Sequence, residues 1–71
     1  MTLNDAELGK EYLIKDLKLD GDEDLQSFLF SLGCYSGEKI TVVDKHKNLV
    51  VSIKDARYNI DPDLADVIVI E

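Results

Sequence analysis

Leu25-Gln26-Ser27-Phe28-Leu29-Phe30-Ser31-Leu32-Gly33-Cys34-Tyr35-Ser36-Gly37-Glu38-Lys39-Ile40-Thr41-Val42-Val43 decides the fold. Leu25, Phe28, Leu29 and Leu32 fall at i, i+3, i+4 and i+7, one face of a helix of 3.6 residues per turn. Gly33 follows the last periodic residue, where a left-handed C′ position favours glycine. Ser36-Gly37 is a turn pair, and Ile40, Val42 and Val43 bring in β-branched strand residues. The stretch therefore reads as a short helix over about 22–32, a glycine stop, a turn and a strand.

Upstream, Leu3 and Leu8 are expected as buried anchors of a short lead-in that Gly9 ends. Glu11 to Leu17 reads as a half-buried strand, with Tyr12 and Ile14 on one face and Leu13 and Lys15 on the other. Leu19 to Asp24 is a polar loop in which Asp22 suits the helix N-cap and Glu23 and Asp24 suit its first turn.

Downstream, Lys39 to Asp44 and Leu49 to Ile53 read as strands joined by a turn over Lys45 to Asn48. Leu49, Val51 and Ile53 share one face. Lys54 to Arg57 turns the chain into Tyr58-Asn59-Ile60, Asp61-Pro62 starts a helical turn over 62–66, and Val67 to Ile70 closes as an apolar strand. Four or five short strands around one small helix predict a mainly β, partly open antiparallel barrel in a single domain over 1–71.

A 71-residue chain stands near the lower limit for an autonomous core, and two subdomains flanking a cleft do not fit in it. Fifteen acidic against eight basic residues give a net charge of −7, and the lysines are scattered rather than gathered into the stripe that phosphate backbones need. Free nucleic acid is not an expected partner. The single Cys34 has no intramolecular disulfide partner, which suits a reducing cytosol. Met1 to Asp5 lacks the basic and apolar regions of a signal peptide, and no apolar run reaches the ~18 residues of a membrane helix. A cytoplasmic protein without membrane insertion is expected.

No catalytic or metal-binding constellation appears. An EF-hand loop starting at Asp20 needs glycine sixth and glutamate twelfth, but Leu25 and Ser31 stand there. Cys34 and His46 are the only soft ligands and lack the further residues of a tetrahedral site. His46, between Lys45 and Lys47, reads as an exposed turn residue, and Cys34 as a small apolar residue packed after the helix. No base is placed beside Cys34 to activate it, so neither enzyme chemistry nor a bound cofactor is expected. Phe28 belongs to the core stripe, while Phe30 falls off it and either covers a barrel end or stands exposed. Tyr12 and Tyr58 fit strand packing, but Tyr35 sits in the turn between helix and strand.

The block Leu29-x-x-Leu32-Gly33-x-x-x-Gly37-x-x-Ile40-x-Val42 resembles the core motif of the ferrous iron transport protein A (FeoA) family of SH3-like domains. The resemblance runs nearly end to end, from Leu3, Leu8 and Gly9 to Arg57-Tyr58-Asn59-Ile60, Ala65, Ile68 and Ile70. Ser36 stands where the family often has proline, Asp55-Ala56 where it has a turn glycine, and Gln26-Ser27 where it commonly has a basic residue. The resemblance implies a non-enzymatic cytosolic accessory protein of bacterial ferrous iron uptake. Its implied partner is the membrane iron transporter with a cytosolic GTP-binding domain. The off-stripe Phe30 and the turn of Cys34, Tyr35, Ser36 and Gly37 are the expected contact, on their own sequence positions. Two other roles fit the same type of domain: regulating a metal-dependent transcriptional repressor, or an RNA-binding barrel, the latter opposed by the charge.

Overall fold

The computed structural model describes residues 1–71. A 3-10 turn over Leu3–Asp5 precedes strand β1 (Glu11–Leu17), helix α1 (Glu23–Ser31), strands β2 (Lys39–Lys45), β3 (Leu49–Ile53) and β4 (Ala56–Ile60), helix α2 (Pro62–Ala65) and strand β5 (Ile68–Ile70). All pairings are antiparallel and the sheet order is β4-β3-β2-β1-β5, without closure of β4 onto β5. The expected strands are all present; β2 runs one residue further than its pattern suggested, β4 starts two residues earlier because the turn before it needs only Lys54 and Asp55, β5 starts one residue later, and α2 stops one residue earlier.

Period-two patterning builds the core. Tyr12 and Ile14 of β1, Ile40 and Val42 of β2, and Leu49, Val51 and Ile53 of β3 all point to one side and are buried. Tyr12 lies directly opposite Ile40, and Val42 opposite Val51, so the register stacks buried side chains across the ladder. Asp61 caps α2 by accepting from the Leu64 N–H at 2.8 Å, with Pro62 at the first helical position. The turn between β3 and β4 holds two residues, Lys54 and Asp55, with φ of 49° and 67°, the positive pair that a type I′ hairpin needs.

Two bulges break the ladders. One lies between Ile14 and Asp16 of β1, the other between Val42 and Asp44 of β2. The first separates the part of β1 that pairs with β2 from the part that pairs with β5. That change of partner lets one strand serve both halves of a curled sheet.

Two expected burials are corrected. Leu8 is exposed, because Ala6 takes the inward place after the 3-10 turn and the chain then turns outward before Gly9 bonds Val42 O. Phe28 is half exposed, at 50 %, and Leu29 alone of the helix is fully buried. At about 100° per residue, Phe28 and Phe30 lie on opposite flanks of Leu29. The helix is rolled to put Leu29 at the centre of its contact, so both phenylalanines fall to its sides. Leu25 and Leu32 keep a partly buried place.

Candidate functional site

The site grows from the end of α1. Asp22 accepts from the Leu25 N–H at 3.0 Å and fixes where the helix starts. At the other end Gly33 adopts φ +88°. Its N–H donates to Phe30 O at 3.0 Å, and the Cys34 N–H donates to Leu29 O at 2.9 Å. Those two bonds form a complete Schellman stop. The hydrophobic contact that accompanies this motif is supplied by Leu29 and Cys34, both buried. Burial pushes the Cys34 thiol up to about 11.

The turn that follows is pinned onto β1. Gly37 N–H donates to Ile14 O at 2.8 Å, and Ile14 N–H to Glu38 O at 2.8 Å. Ser36 Oγ donates to Lys15 O at 3.0 Å. Lys15 is the bulged residue of β1, so the Ser36 hydroxyl takes a carbonyl at the place where the ladder shifts register. The segment is thus held by backbone bonds at both ends, leaving the Tyr35 side chain to reach outward.

Tyr35 is the hub of the exposed face. Its ring meets Phe30 edge to face, with centroids 5.8 Å apart and planes at 87°. Lys54 Nζ lies 2.7 Å from the Tyr35 hydroxyl and 5.0 Å from the ring centroid. The same ammonium stands 3.1 Å from Glu38 Oε2. That oxygen has no aligned hydrogen bond, so charge holds this pair rather than donor geometry. The Tyr35 hydroxyl first, and Glu38 second, hold the Lys54 ammonium above its ordinary range.

Phe30 and Tyr35 close one end of a shallow groove of about 310 Å3. Leu17 and Leu19 from the end of β1 and the loop after it form its apolar floor, with Asp16, Gln26 and Ser36 on the rim. Gln26 is one helical turn before Phe30, so both face this groove while Phe28 faces away. Leu17, Leu19 and Lys54 escaped the sequence reading. Only the register shift in β1 and the two-residue β3–β4 turn bring them here.

Of the residues expected at a docking face, Phe30, Tyr35 and Ser36 line the groove and Gly37 supports it from behind the turn. Cys34 is corrected: it is 1 % exposed and faces the core, because the Schellman stop turns the residue after glycine inward. His46 is exposed on the β2–β3 turn, with Nε2 3.3 Å from Asp44 Oδ1. No group of three or more His, Cys, Asp or Glu side chains is gathered to hold a metal ion. No helix is long and apolar enough to cross a membrane.

The model of the FeoA domain matches residues 1–71. The chain belongs to the FeoA family. Among solved structures, this FeoA domain is similar to the solution structure of iron(II) transport protein A from Clostridium thermocellum, with 27 % identity and a TM-score of 0.90. That match covers 100 % of this chain and 44 % of the other, so the chain spans less than half the length of that relative. It also superposes on Stenotrophomonas maltophilia FeoA crystallised with zinc, described as a prokaryotic SH3 domain protein (22 % identity, TM-score 0.88, covering 100 % and 89 %). A crystal structure of an iron uptake regulatory protein (FeoA) gives 20 % identity and a TM-score of 0.86, covering 100 % and 96 %. The fold is SH3-like, as the family resemblance implied. No curated protein matches.

Proposed function

We propose that this FeoA domain is a cytosolic accessory factor of bacterial ferrous iron uptake, acting without chemistry of its own. It docks on the cytosolic GTP-binding domain of the membrane iron transporter and modulates it. Membership of the family supports the pathway. One similar protein is named iron(II) transport protein A, and another is described as a candidate activating factor for bacterial ferrous iron transport.

The observation that carries the docking face is the Phe30–Tyr35 pair. Two aromatic rings, 46 % and 38 % exposed, stand together over an apolar groove on a rigidly pinned turn. Exposed aromatic anchors on a preformed groove are what protein interfaces use for most of their binding energy. The contact residues are Phe30, Tyr35 and Ser36, with Leu17 and Leu19 as floor.

A two-dimensional NMR titration of labelled chain with the transporter's cytosolic domain tests this. Shifts confined to 16–19, 26–30 and 33–37 are expected. Absence of shifts at saturating partner, or shifts centred on the β2–β3 turn, refutes the assignment.

A further inference from the structure

The groove beside Phe30 does not end at Gln26. Leu19 and Gln26 also line a second depression of about 300 Å3, whose other walls are Gly21, Asp22 and Glu23. The two share Leu19 and Gln26 and make one trough along α1, from Asp22 at its start to Phe30 near its end. One end is apolar, built from Leu17, Leu19, Phe30 and Tyr35; the other is polar and acidic.

Three charged residues line the trough, Asp16, Asp22 and Glu23, and all are negative. No lysine or arginine lines either half. At the apolar end Lys54 is already engaged by Tyr35 and Glu38, while Lys15 and Lys18, chain neighbours of Asp16, Leu17 and Leu19, line neither half and make no ion pair. Asp22 Oδ1 accepts the Leu25 N–H, and Glu23 makes no ion pair. The trough thus presents an apolar seat followed by unneutralised carboxylates, on a chain of net charge −7.

We infer that the trough takes a basic amphipathic segment of a partner protein. A bulky aliphatic or aromatic side chain seats between Leu17, Leu19, Phe30 and Tyr35, and a Lys or Arg further along the same segment meets Asp22 and Glu23. Apolar burial supplies affinity at one end, and charge complementarity fixes direction at the other. An acidic or uniformly apolar segment lacks one of the two matches. This rests on the reading of this face as the docking surface and adds the chemistry of what docks.

The test uses the full chain and a synthetic helical peptide of leucine, alanine and lysine with one apolar face. Its control is the same peptide with glutamate for every lysine. In low salt, the lysine peptide shifts the amides of 16–19, 22–26 and 30–36, and the glutamate peptide does not. Glu23→Gln weakens the lysine peptide roughly two- to threefold, as one solvent-exposed charge pair should, and the effect fades above ~0.3 M salt. Phe30→Ala removes the shifts at 30–36. Glu7→Gln, exposed in the lead-in before β1, changes nothing.

Equal shifts with both peptides, or none with the lysine peptide at millimolar concentration, overturn the inference. Shifts of the same amides on concentrating the chain alone assign the trough to a second copy and also overturn it. The transporter titration identifies the partner and the peptide pair reads the chemistry the trough accepts, so either can fail while the other stands.

Discussion

Phe30 and Tyr35 lie on opposite sides of the helix stop at Gly33, yet their rings meet edge to face at 5.8 Å. The Schellman bonds from Gly33 and Cys34 fold the chain back by the amount this contact requires. Both rings remain more than a third exposed. Replacing Phe30 with alanine therefore removes a surface aromatic pair and leaves the core intact. An aromatic pair is worth about 0.5–1.5 kcal/mol beyond area burial, so Phe30→Ala should lower urea stability by about 1–2 kcal/mol. Binding to the transporter domain should weaken about tenfold, the effect of losing a central anchor. Binding that stays within about twofold of wild type, measured on the folded variant, would reassign Phe30 to packing.

Leu29 gives the contrast. It is fully buried and closes the Schellman stop against Cys34. Truncation of a buried leucine to alanine removes about 2–5 kcal/mol, while a domain of this size holds about 4–10 kcal/mol in all. Leu29→Ala should leave the chain marginal at room temperature, with a broad or early urea transition. A loss below about 1 kcal/mol would mean that the helix is not anchored through Leu29.

Gly33 and Gly37 separate backbone strain from crowding. Both have positive φ, +88° and +92°. A Cβ on Gly33 would touch Ile53 Cγ2 at 3.4 Å, whereas one on Gly37 would meet open space. Alanine at either position carries the left-handed penalty of about 1–2 kcal/mol. Gly37→Ala should cost that alone, and Gly33→Ala the same or slightly more. Equal, near-zero losses by denaturant titration would show that neither turn needs glycine.

Much of this was legible in the sequence, and the misses share a cause. Periodicity found α1, and Gly33 found its end, because both depend on neighbours in the chain. Alternation found β1 through β3 for the same reason. Phe28 was misplaced because a wheel gives the width of an apolar stripe but not where the sheet touches it. The groove's floor at Leu17 and Leu19, and the Lys54 contact to Tyr35, depend on a bulge and a hairpin geometry that no local pattern marks. Cys34 was read both as buried and as a contact residue; its place in the Schellman stop settles it as buried.

Cys34 makes stability depend on alkaline pH. Burial raises its folded value from 9.0 to about 11. Between those values the unfolded thiol ionises while the native one keeps its proton, so the native state binds more protons and stability falls as pH rises. Below about pH 9 the contribution is constant. The stability difference between the wild type and Cys34→Ala should therefore be flat from pH 6 to 8 and shrink toward pH 11. Subtracting the variant cancels the lysines and tyrosines that titrate alongside. A thiol reagent at pH 8 should react slowly with the native chain and rapidly in urea; rapid native reaction would show the thiol to be accessible.

Asp55 stands second in the two-residue turn between β3 and β4 at φ 67°, after Lys54 at 49°. Type I′ turns favour glycine at this second position. A non-glycine residue in the left-handed region carries about 1–2 kcal/mol, and aspartate less than most. Glycine would relieve that strain but gives back about 0.5–1 kcal/mol through the flexibility it adds to the unfolded chain. Asp55→Gly should then raise stability by a few tenths to about 1 kcal/mol without moving Lys54 from Tyr35. The readout is a higher denaturation midpoint with the Tyr35 and Glu38 amide shifts unchanged. A midpoint that falls would show that the Asp55 side chain stabilises the hairpin through a contact stronger than the strain.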